Sequence, residues 1–191
     1  RMGPGDGHQT LANDTEAEMS QEKNQTYVNV LRRTDMFYDL SPSHLEMVAG
    51  ICSDVEYQLG DLIFEENSAG RELYVIAAGE VEIQLDPSLI RPGGRPEQED
   101  KTTIATLRAG QTFGEIALVD EGLRSASARA ASRRTRLLIL PRDEVIALCN
   151  GHPDLGYRLM RNVAADLAFK IRGTDLMIRE QLLWKSRPVK L

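Results

Sequence analysis

A chain of 191 residues with 41% hydrophobic composition is long enough for one ordinary domain with a core of its own. Twenty-nine acidic side chains against 23 basic ones leave a net charge of −6, which argues against broad contact with a nucleic-acid backbone, and no stretch has the apolar length of a membrane-spanning helix. Two distant cysteines, Cys52 and Cys149, and three scattered histidines argue against a disulfide framework and a metal site, so the chain reads as cytoplasmic, with no metal and no cofactor.

Residues 1–20 are polar and acidic with almost no apolar periodicity, and read as a flexible tail ahead of a domain over 21–191. The spacing of Tyr27, Val28, Val30 and Leu31 predicts a helix to Arg33. A second helix is expected from Ser41, with Pro42 at its first position and Leu45, Val48 and Ala49 along it. The period then changes to short β-rich runs: Val55–Tyr57, Leu62–Phe64, Leu73–Ile76, Val81–Leu85 and Thr102–Leu107. Gly60-Asp61, Asn67–Gly70, Ala78-Gly79 and Ala109-Gly110 punctuate them. Ser132–Leu140 supplies a last strand, and Pro87–Lys101, rich in proline, glycine and then acid, reads as a long mobile hairpin loop.

Many short strands with turn glycines predict a mainly β fold with flanking helices: a jelly-roll type antiparallel β-barrel over about 52–140. Helical period returns over about 142–185. Arg142–Asn150 is one short helix, Gly151-His152-Pro153 interrupts it, and a long helix follows from Asp154. Its stripe of Leu155, Leu159, Val163, Leu167 and Ile171 is either cover for the domain's own barrel or a homodimer face. Gly173 is expected to bend or end this helix, with a weaker pattern from Leu176 to Trp184 beyond it. The basic cluster Arg129, Arg133, Arg134 and Arg136 reads as solvated loop and strand ends.

The most informative run is Phe113-Gly114-Glu115-Ile116-Ala117-Leu118, followed by Arg124-Ser125-Ala126-Ser127. A short helix opening after a glycine turn aims unpaired backbone N–H groups at an anion, and Arg124 adds a planar fork of donors. Glu115 is out of place beside a phosphate unless it points elsewhere, and a carboxylate is a good acceptor for a sugar hydroxyl. Phosphate and ribose in one compact site point to a nucleoside monophosphate of the cyclic kind, because no second cationic group stands ready for a di- or triphosphate.

These residues resemble the phosphate-binding cassette of the cyclic-nucleotide-binding domain family, whose pattern is roughly F-G-E-[IL]-A-L followed after a variable loop by R-[AST]-A. The resemblance extends over about residues 27–185 through Gly60–Phe64, Leu73–Ile76, Gly79–Val81 and Leu107–Phe113. One departure is Asn67, where the family more often has glycine; asparagine tolerates the left-handed backbone, so the turn is expected to survive.

The resemblance implies that Glu115 accepts the ribose 2′-hydroxyl and that Arg124 pairs with the cyclic phosphate. Gly114 would allow close approach, the amides of Ile116, Ala117 and Ser125 would cradle the phosphate, and the Ser125 hydroxyl would reach an equatorial oxygen. Phe113, Ala126 and Ser127 complete the candidate set. Ser125 permits cAMP or cGMP, with class frequency favouring cAMP. A lid from the long helix would place Lys170, Ile171 and Thr174 over the base, with Phe169 and Trp184 as alternative aromatic caps. No catalytic set is visible, so the expected function is a cyclic-nucleotide sensor acting on an unknown effector. The alternatives are an interaction module without nucleotide or a truncated transcription regulator; only some residues after Trp184 remain, short of a DNA-binding helix-turn-helix.

Overall fold

The computed structural model describes residues 7–86 and 101–185. Three helical pieces lead in: α1 (Gly7–Leu31), a 3-10 turn (Asp35–Phe37) and α2 (Pro42–Gly50). Eight strands follow: β1 (Ser53–Gln58), β2 (Leu62–Phe64), β3 (Glu72–Ala78), β4 (Glu80–Leu85), β5 (Thr102–Arg108), β6 (Thr112–Phe113), β7 (Ser127–Ala130) and β8 (Arg134–Pro141). Helix α3 (Ile116–Val119) lies between β6 and β7, and α4 (Arg142–Gly151) and α5 (Pro153–Lys185) close the order. No helix among the described residues is long and apolar enough to cross a membrane.

The strands form two antiparallel four-stranded sheets, ordered β1-β8-β3-β6 and β2-β7-β4-β5. The mainly β, jelly-roll fold stands as expected from the sequence, but the ladders do not run continuously round a closed barrel. Closure is instead by side chains: Tyr74, Ile76 and Leu137 of one sheet meet Val81 and Ala128 of the other in one buried cluster. Residues alternating with these, Leu73, Val75, Leu138 and Leu140, face the helices and join Leu31, Val48, Leu155 and Leu159 in a second cluster. Strands β3 and β8 are thus buried on both faces, which is why their sequences read as unbroken apolar runs.

Helix α2 begins as its sequence predicts, with the Ser41 hydroxyl accepting from the His44 N–H at 3.2 Å and Pro42 at the first helical position. Helix α1 reaches back to Gly7, inside the segment read as a flexible tail. Polar, acidic composition and missing apolar period read as a tail, whereas Gln9, Ala12, Glu16, Ala17 and Glu18 are good helix formers and no proline interrupts them. Helix α5 likewise runs through Gly173 without ending there. A lone interior glycine costs only about 1 kcal/mol relative to alanine, too little to stop a helix flanked by good formers. The loop expected over Pro87–Lys101 falls, but for Lys101, outside the described residues.

The α5 stripe divides in two. Leu155, Leu159 and Val163 are buried in the domain's own core, while Ile171, Leu176, Ile178 and Leu183 are exposed. Polar contacts fix the same first half: Asn162 Nδ2 donates to Met36 O at 3.1 Å and Tyr38 O at 2.7 Å, Arg158 pairs with Asp39, and His44 Nε2 lies 3.1 Å from Asp154.

Asp54 ties α1 to the sheet. Its carboxylate accepts from the Tyr27 hydroxyl, from Lys23 Nζ at 3.0 Å and from Arg136 Nη2 at 3.0 Å. The Tyr27 hydrogen bond, with help from the two cations and against partial burial, holds the carboxyl down at about 2. A carboxyl lowered on folding contributes stability that is complete above its ordinary value near 3.8 and is lost as pH falls toward 2. Asp54→Asn is therefore expected to lower the melting temperature at pH 6, with the gap to wild type closing between pH 4 and 2. A gap that stays constant over that range would remove this role.

Candidate functional site

Strand β6 ends at Phe113, and Gly114 turns the chain at φ 77° into Glu115 and the single turn of α3. After the intervening loop the chain returns at Arg124, whose backbone is gripped by the β2–β3 turn. Its N–H donates to Ser68 O at 2.9 Å, and its carbonyl accepts from the Asn67 N–H at 2.8 Å. Asn67 sits at φ 61°, so the turn keeps the left-handed residue its sequence predicts.

The Arg124 side chain is 6% exposed, and most of its donors are placed. Nη2 donates to Glu72 O at 3.0 Å and to Glu72 Oε2 at 2.9 Å, while Nη1 has a long contact of 3.5 Å to Gly114 O. The guanidinium carbon lies 4.3 Å from the Phe64 ring centre. Its Nε is buried with no partner. Two glycines make room for this group: a Cβ on Gly70 would come within 2.1 Å of Nε, and one on Gly114 within 2.7 Å of Nη1. The charge is met by the Glu72 carboxylate, so what this buried group lacks is an acceptor for Nε.

Glu115 is also buried, at 5% exposure. Its Oε2 lies 3.1 Å from Nζ of Lys170 on α5. That ammonium also contacts Asp166 at 2.8 Å and donates to Thr112 O at 3.2 Å. Between these groups opens a cavity of about 550 Å³. Its aromatic base is Phe64 and Phe113; Tyr74 stacks on Phe113 with ring centres 4.9 Å apart, and burial pushes its phenol up to about 12, keeping it neutral.

The fold brings the candidate residues together. Phe113, Gly114, Glu115, Ile116, Ala117, Arg124, Ser125 and Ala126 line one side of the cavity, and Lys170, Ile171 and Thr174 line the other. Ser127 is not in the wall: it is fully buried, and its hydroxyl accepts from the Glu66 N–H at 3.0 Å and contacts Lys101 Nζ at 3.2 Å. Phe169 is exposed and outside the wall, and the Trp184 side chain lies outside the described residues. Sequence reasoning missed Gly70, Phe64, and the apolar wall of Ile83, Ile104, Leu107 and Met177. Gly70 closes a visible turn signal, but its role beside Arg124 has no local signature. Lys170, the other cation in the wall, is paired to the two carboxylates of Glu115 and Asp166.

A buried arginine, a buried carboxylate and an apolar chamber thus share one cavity. Residues 54–152 match the family described as the cyclic nucleotide-binding domain. The Cyclic AMP receptor protein of Thermus thermophilus is 33% identical over 146 residues, covering 76% of this chain and 61% of that protein, so the chain spans about three fifths of this relative's length. The crystal structure of the Thermus thermophilus catabolite activator protein is similar with a TM-score of 0.63 at 32% identity, covering 78% of this chain and 63% of that one. A cyclic nucleotide-binding domain from Methylobacillus flagellatus shares the fold with a TM-score of 0.67 at 22% identity, over 90% of this chain and 89% of the other.

Proposed function

Because the chain belongs to the cyclic nucleotide-binding domain family, a family of regulatory nucleotide-binding modules, we propose that its cavity binds a cyclic nucleotide, cAMP before cGMP, and that binding draws α5 onto the ligand. The observation that carries this reading is one cavity that gathers Arg124 and Glu115, both more than nine-tenths buried, beside an apolar wall. The cyclic phosphate pairs with the Arg124 guanidinium, and Glu115 accepts the 2′-hydroxyl. Ala117 N–H already donates to Gly114 O at 3.2 Å, so the backbone contribution falls chiefly to Ile116 and Ser125. Ser125 is exposed at the cavity edge, where its hydroxyl is free to reach a phosphate oxygen.

The base would lie toward Ile83, Ile104 and Met177, an apolar wall that favours adenine over the more polar guanine. The named cAMP receptor among its relatives supports the same preference. Lys170, Ile171 and Thr174 form the lid, and its position is the signal passed to an effector. The chain acts in the cytoplasm as a sensor rather than an enzyme, and the exposed second half of α5 is available for a homodimer.

Calorimetric titration of refolded, ligand-free protein with cAMP and cGMP tests the reading. Saturable binding with cAMP tighter is expected, and no heat and no thermal shift with either would overturn it. Glu115→Ala should weaken cAMP by roughly 10- to 100-fold, the value of one hydrogen bond to a charged group, while hardly changing 2′-deoxy-cAMP. Equal losses for both ligands would remove its ribose role.

A further inference from the structure

We infer that Phe64 is a positioning residue for the anion site: its ring, turned inward by a β-bulge, fixes the plane of the Arg124 guanidinium that meets the phosphate. For its ligand this rests on the nucleotide reading of the cavity, but its observation is separate. The guanidinium carbon lies 4.3 Å from the Phe64 ring centre and 5.6 Å from that of Tyr74. A cation over an aromatic ring is attracted by the negative charge of the ring face, and more strongly where water is kept out, as it is around Arg124.

Strand β2 is built to place this ring. Leu62 pairs with Arg129 and Phe64 with Ala128, so one extra residue, Ile63, is set against β7. In a regular strand neighbouring side chains point to opposite faces, yet Ile63 and Phe64 both pack against the inner cluster that holds Tyr74 and Phe113. The bulge permits this. The Phe64 ring centre then lies 5.6 Å from that of Tyr74 and 5.8 Å from that of Phe113, which sets its own tilt. Tyr74 and Phe113 are buried, whereas Phe64 is half-buried and stands in the cavity wall.

The polar contacts of Arg124 do not fix its plane by themselves. Both short bonds to Glu72 leave from Nη2, and Nη1 has only the 3.5 Å contact to Gly114 O. A planar group anchored at one corner still tilts about that corner, and a ring against its face opposes the tilt. A phosphate gains most from the fork when the donors are held in line with its oxygens, so losing the ring costs affinity at the phosphate rather than at the ribose.

Phenylalanines with progressively more ring fluorines in place of Phe64 keep the shape of the side chain while draining charge from its face. Affinity for cAMP should fall step by step along that series, roughly three- to tenfold by its end, and Phe64→Leu should fall at least as far. 2′-Deoxy-cAMP should lose the same factor, because Glu115 is untouched. A flat fluorine series would overturn the inference even where Phe64→Leu binds weakly, since the ring would then act by shape alone. A loss confined to cAMP would overturn it too. Should the wild type bind no nucleotide, the nucleotide reading falls and melting temperature judges the stack. A stepwise drop along the series that vanishes in Arg124→Met then supports it, and a flat series, or a drop that persists in Arg124→Met, overturns it.

Discussion

Arg124→Ala should weaken cyclic-nucleotide binding by at least about a hundredfold while the domain still folds, since hydrogen bonds to charged groups contribute roughly 1.5–3 kcal/mol each and the phosphate would lose more than one. The expectation that folding survives comes from how the residue is held. Its backbone bonds to Asn67 and Ser68 do not depend on the side chain. The Glu72 carboxylate that loses its partner is partly exposed and can turn to water. Phe64 loses only the cation over its ring, and the Tyr74–Phe113 stack remains. Calorimetry and a thermal melt on one preparation separate the two claims. An affinity within threefold of wild type would sink the phosphate assignment, and an unfolded variant would show Arg124 to be structural.

Gly70→Ala should reproduce much of that loss without touching a charged group. The added Cβ would sit 2.1 Å from Nε and 2.5 Å from Cζ of Arg124. Gly114 against Nη1 and Phe64 over one face restrict where the guanidinium can move. No positive φ is involved at Gly70, so the penalty is the displaced cation rather than backbone strain. We expect affinity to fall at least about tenfold and stability by roughly 1–3 kcal/mol, the range for overpacking. The decisive comparison is the double variant: with Arg124 already alanine, Gly70→Ala should be close to silent, since the clashing atoms are gone. Additive losses in stability would mean that Gly70 serves the turn and not the arginine.

Much of the fold was legible because it is written at short range. The alternation of Leu73 to Ile76 and the run Leu137 to Leu140 announce strands whose two faces are both buried, and the structure seats them between the helices and the second sheet. Ser41-Pro42 marks a helix start by hydrogen-bond chemistry confined to four residues. Strand β6 has no sequence signal of its own, since Thr112-Phe113 is too short to show a period. Ser127 reads from the sequence equally as a neighbour of the ligand and as a plain structural strand residue, and the pleat turns it into the protein, where it bonds Glu66.

By itself the sequence determined the cassette: an acid, a glycine turn and an arginine within a dozen positions belong to one loop, so their chemistry is local and their spacing carries it. Only the tertiary structure decided what stands opposite. Glu72 meets Arg124 across 52 positions and Lys170 meets Thr112 across 58, and no periodicity reports contacts of that separation. It also divided the α5 stripe into a buried half and an exposed half, because the apolar repeat continues past Leu167, the last of its residues to pack against the core.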